Sequence, residues 1–145
     1  MHHHRRIPVL LAIPLMAALA ACGGDKATAP QIPASIAGNW LVANGSDSLD
    51  ANLTQSDTVV TGTGFLASSE LALITGGATH IPLAYAGYYT SKGKLHLDAT
   101  SSALPSMTGT LDAQALSANS VRGTFVVKEN GIQIFSEDTV LTRQP

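Results

Sequence analysis

From Ile36 onward the chain alternates apolar and polar residues in short runs, with almost no helical periodicity. Leu49, Ala51 and Leu53 are interleaved with Asp50, Asn52 and Thr54, the period-2 pattern of a strand that buries one face. Gln55-Ser56-Asp57 marks a turn, and Val59–Phe65 reads as the next strand. Ile81, Leu83 and Tyr85 alternate again, Leu95 and Leu97 follow the turn Ser91-Lys92-Gly93, and Met107, Gly109 and Leu111 form a further segment. Val121–Lys128 is the most strand-like run, and Asn130-Gly131 separates it from Ile132–Phe135. An Asn-Gly pair between two such runs is a strong hairpin signal. Asp138–Arg143 is expected to close the chain as one more short strand. Only the stretch 67–78 breaks the series, where Ser68-Ser69-Glu70-Leu71 suits a single helical turn.

Eight to ten short antiparallel strands joined by tight turns imply an all-β domain. A sequential meander that closes into a barrel of about eight strands leaves no exposed sheet edge. The alternative is a two-layer β-sandwich, which has strands of the same length but needs a crossing connection, and only 67–78 could supply one. Gly-Thr recurs inside the expected strands at Gly62-Thr63, Gly109-Thr110 and Gly123-Thr124. Glycine within a strand marks a bend, a bulge or a close backbone approach, as the curl of a small barrel requires.

Upstream of this domain, Arg5 and Arg6 precede a 15-residue apolar run from Ile7 to Ala21 that contains Pro8 and Pro14. The run is short for a spanning helix, which needs about 20 apolar residues. A basic start, a short apolar core and small residues at its end describe a secretion signal. Leu19-Ala20-Ala21-Cys22 resembles the lipobox of bacterial lipoproteins. That resemblance implies a diacylglycerol on the Cys22 sulfur, cleavage just before Cys22 and acylation of the new amino terminus. It also implies an outer-membrane destination, because Gly23 occupies the position where an Asp would retain such a protein at the inner membrane. The expected organisation is a signal over 1–21, lipidated Cys22 with a flexible tether to residue 35, and the β-domain over 36–145. Glycine, proline and small polar residues keep the tether from packing, and its thirteen residues beyond Cys22 reach at most about 45 Å.

Charge and chemistry narrow the function classes. After residue 21 there are six Lys or Arg against ten Asp or Glu, a net charge near −4. This mild acidity argues against a nucleic-acid partner. Cys22 is the only cysteine, so no disulfide is available and packing alone must stabilise the domain. The only histidines after residue 21 are His80 and His96, and no spacing supplies a zinc set. Asp47, Asp50, Asn52 and Asp57 lie close together but lack calcium-loop spacing. Glu70, Glu137 and Asp138 read as solvated acids, and no nucleophile motif accompanies them. The sequence therefore points to a protein that is not an enzyme and uses neither cofactor nor metal.

At the two ends of the domain, Gly38-Asn39-Trp40 is similar to the Gly-x-Trp start of the first strand in lipocalins and related small barrels. The resemblance implies that a basic residue at the end of the last strand packs across the Trp ring. Arg143 stands in that place, and Trp40 with Arg143 would close the barrel. Tyr85, Tyr88 and Tyr89 cluster near a strand end as the rim of a pocket mouth. Two functional readings follow. One is a small apolar ligand or lipid held inside the barrel. The other is an envelope protein partner recognised through loops, with apolar Leu71-Ala72-Leu73-Ile74 as the contact or as a lid.

Overall fold

Each alternating run forms a strand in the computed structural model of the protein, which describes residues 32–44, 47–68, 77 and 79–145. The strands are β1 (Gly38–Asn44), β2 (Asp47–Ser56), β3 (Val59–Ala67), β4 (His80–Tyr89), β5 (Lys94–Thr100), β6 (Met107–Ser117), β7 (Ser120–Glu129) and β8 (Ile132–Arg143). Every strand pairs antiparallel with its predecessor, and β8 returns to β1, so the meander closes into an eight-stranded barrel. The sandwich alternative fails because no connection crosses between layers. Signal residues 1–21, Cys22 and Leu71–Ile74 lie outside the described residues.

Local chemistry explains the turns. Asn130 and Gly131 both adopt positive φ, 50° and 81°, which is the backbone that a two-residue hairpin joining right-twisted strands demands. Pro82 lies inside β4, but β5 pairs only with Ala84–Tyr89, so the missing amide falls beyond that ladder. One expectation needs correcting. Ile132–Phe135 and Asp138–Arg143 are not two strands but a single 12-residue β8. The polar run Ser136-Glu137-Asp138 continues the ladder with β7, and outward-facing Asp138 accepts a 2.8 Å hydrogen bond from the Thr124 hydroxyl.

The inward faces fill one half of the barrel. Trp40, Leu53, Val60, Leu95, Leu97, Val121 and Leu141 are almost fully buried and belong to a single core cluster. Ile36, ahead of β1, is completely buried in the same cluster. Within the expected tether, Pro33 and Ser35 contribute backbone carbonyls to hydrogen bonds from the barrel.

Candidate functional site

One end of the barrel is sealed by the segment that enters β1. The Tyr89 hydroxyl donates to the Pro33 carbonyl at 2.8 Å, and the Gln55 side-chain oxygen accepts from the Ile36 amide at 2.8 Å. Trp40 Nε1 donates to the Ile36 carbonyl at 2.8 Å, which satisfies the indole inside the core. Trp40 and Arg143 are cross-strand partners where β1 meets β8, and the guanidinium carbon lies 4.7 Å from the indole ring centroid. Arg143 also donates from Nη1 to the Ala37 carbonyl at 2.8 Å and from Nη2 to the Ser35 carbonyl at 3.2 Å. One side chain thus ties the last strand to the first strand and to the plug. Its Nε–H is buried with no hydrogen-bond partner.

At the opposite end only Trp40 and Leu41 of β1 pair with β8, so the first part of β8 overhangs β1 and has no second partner strand among the described residues. Between that overhang and β2 a cavity of about 570 Å³ penetrates the barrel. Leu49, Leu66, Met107, Phe125 and Val127 form its apolar wall, and Val42 and Phe135 flank it. A side chamber of about 40 Å³ continues from Leu66, Met107, Phe125 and Val127 toward Leu83 and Leu104. Sequence choices shape this space. Gly109 faces inward, and a Cβ there would stand 2.8 Å from Phe125 Cζ, so the glycine leaves room for the ring. On β8, Phe135 pairs with Val127 and Gln133 with Lys128, so Ile134 is a bulged residue without a partner. The bulge lets consecutive Ile134 and Phe135 both line the cavity, where strict alternation would admit only one.

The cavity mouth is polar. Asp47, Ser48, Ser68, Glu137 and Thr139 line it alongside the apolar wall. Glu137 pairs with inward-facing Phe125 and so shares its face, and Asp47 lies in phase with buried Leu49 and Ala51 on β2. No Lys, Arg or His stands among the described residues lining this cavity.

The three tyrosines do not share a rim. Alternation along β4 sends Tyr85 and Tyr89 inward and Tyr88 outward. Tyr89 lies at the sealed end. Tyr85 sits in mid-barrel, where its hydroxyl donates to the Asp50 carbonyl at 2.8 Å. Burial, and to a lesser degree the Asp50 charge, pushes the Tyr85 pKa well above its usual value, so the group stays a donor. This bond spans β3, where Gly64 makes room for it. A Cβ at Gly64 would collide with the same Asp50 carbonyl, and the Phe65 amide bonds the Asp50 carboxylate at 2.6 Å instead of a ladder partner.

Tyr88 stacks on His96 across the outer face, with ring centroids 5.2 Å apart. His96 Nδ1 bonds the Asp112 carboxylate at 2.6 Å, and Nε2 lies 3.6 Å from Asp98. The Asp112 hydrogen bond raises the His96 pKa above its ordinary value; partial burial opposes this, and the charges of Asp112 and Asp98 add to the rise. The cluster lies on the outside of the sheet, away from the cavity. His80, at the start of β4, is exposed and bonds the neighbouring Thr79 hydroxyl. Among the described residues no group of three His, Cys, Asp or Glu could hold a metal ion. No family model matches the chain, and no curated protein matches it either.

Proposed function

We propose that this protein is a non-catalytic binding barrel of the bacterial envelope, tethered through lipidated Cys22 and holding the apolar chain of a small ligand or lipid in the cavity between β2 and the β8 overhang. The observation that carries this reading is the cavity itself. Its volume of about 570 Å³ lies within the range of roughly 300–1,000 Å³ typical of small-molecule sites. It is walled by Leu49, Leu66, Met107, Phe125 and Val127, and the opposite end of the barrel is plugged. Each methylene taken into such a site contributes about 0.8 kcal/mol of transfer free energy, so a chain of modest length offsets the cost of association. The lipobox resemblance and Gly23 support attachment at the outer membrane.

Organic extraction of protein purified from its native envelope, followed by mass spectrometry, tests the reading. A stoichiometric lipid or apolar metabolite beyond the anchor's own acyl groups is expected. Ligand-free protein that also fails to bind a neutral apolar probe would overturn it. A protein-binding reading has one observation in its favour: the part of β8 that overhangs β1 exposes Ile132, Ile134 and Phe135. If this part of β8 rather than the cavity is used, a charged substitution at Ile132 abolishes envelope partner capture and leaves probe binding intact.

A further inference from the structure

We infer that the side chamber receives the methyl end of the ligand, so that the barrel selects a single straight alkyl or acyl chain over a ring system. This deepens the reading of the cavity as a site for an apolar chain and rests on it. Strand register makes the chamber. On the inward face of β5 and β6, Leu97 stands opposite Leu111, and one step further from the sealed end Ala99 stands opposite Gly109. The leucine pair is almost fully buried and fills the barrel. The next pair carries a single methyl group between its two members, and the space so left extends to Ile81, Leu83 and Leu104. Met107 and Phe125 line both this chamber and the larger cavity, so a chain lying in one can end in the other. The chamber measures about 40 Å³, against about 10–15 Å³ for one water. It thus holds about three carbon-sized groups, which suits the end of one chain and not a six-membered ring. A water there would want about 2–4 polar partners. Ser101 is the buried polar residue on the wall, and its Oγ already accepts from the Ala103 amide at 3.2 Å. A methyl end gives the lining the dispersion contacts that an empty space denies it.

The test uses the neutral fluorophore N-phenyl-1-naphthylamine as the cavity probe on the full-length protein. It is displaced by straight-chain primary alkanols from octanol upward, each below its solubility limit. Displacement is expected to strengthen about fourfold per added methylene until the chain end fills the chamber, and then to level off. Ala99→Val fills the chamber and should bring the levelling to a shorter chain. Leu104→Ala enlarges it from the loop between β5 and β6 and should move the levelling to a longer chain. On the parent protein, 6-cyclohexylhexanol, which has the carbon count of dodecanol, should need at least about a tenfold higher concentration than dodecanol. Equal potency of these two compounds, or levelling at the same chain length in the parent and a folded variant, overturns the inference, while displacement by alkanols upholds the chain site. Failure of the probe to bind overturns both. Circular dichroism checks the fold of each variant; where Ala99→Val does not fold, Leu104→Ala and the cyclohexyl comparison decide alone.

Discussion

Replacing Arg143 with Ala removes three attachments at once, and their sizes can be worked from the geometry. The guanidinium at 4.7 Å from the Trp40 ring centroid is worth about 0.5–2 kcal/mol. The bonds to the Ala37 and Ser35 carbonyls contribute about 1 kcal/mol each at most, because water reaches those carbonyls once the side chain is gone. Against these stands the buried Nε–H without a partner, whose cost of about 1–3 kcal/mol disappears in the variant. The balance is a destabilisation of about 1 kcal/mol. At about 4 °C per kcal/mol for a domain of this size, the melting temperature falls by about 4 °C. Urea denaturation followed by far-ultraviolet circular dichroism is the suitable assay, since Trp40 is the sole tryptophan and is itself a target. Trp40→Ala alone should cost about 3–5 kcal/mol, and the double variant should reveal a coupling of about 1 kcal/mol. Arg143→Lys keeps the charge but loses the planar fork and should fall between the extremes. An Arg143→Ala midpoint unchanged from the parent, or a coupling of zero, refutes the clasp.

Further expectations concern the outer face, the wall and the anchor. The raised His96 pKa means that the folded protein binds the proton more tightly than the unfolded chain. The stabilisation is therefore fully present below the ordinary imidazole value and is lost as pH rises through the raised one. Urea midpoints should be higher in mild acid than in mild alkali by a fraction of a kcal/mol, given the solvent around Asp98 and Asp112. His96→Gln should flatten that part of the slope, and an unaltered slope would assign it elsewhere. Tyr85→Phe should cost about 1–2 kcal/mol, and Gly64→Ala more, because the latter displaces the Asp50 carbonyl that Tyr85 bonds; equal stability of both variants with the parent would refute the linkage. Cys22→Ser should yield an uncleaved precursor that incorporates no labelled fatty acid, and normal labelling would refute the anchor.

The strand pattern and the Asn130-Gly131 hairpin were legible in the sequence because alternation and turn chemistry act between neighbours. The Trp40 and Arg143 positions could be named from the chain ends, and the barrel places them opposite one another. The cavity was not legible. It arises from register: β8 overhangs β1 because their pairing stops at Leu41, and no local pattern records where a closing strand meets the first. Ile132–Phe135 and Asp138–Arg143 read as two strands because Glu137 between them faces the cavity rather than a packed core. The tyrosines misled for a related reason. Proximity in sequence suggested one rim, but a period of two divides neighbours between opposite faces, and the bulge at Ile134 that overrides this rule depends on its partner strand.

The plug over Ile32–Ala37 also sets a direction. Whatever precedes residue 32 joins the barrel at its sealed end, opposite the mouth lined by Leu66, Asp47 and Glu137. Under the proposed lipid anchor, the tether would leave the domain on the side away from the mouth, so the anchor and a ligand in the cavity would not compete for the same end of the barrel.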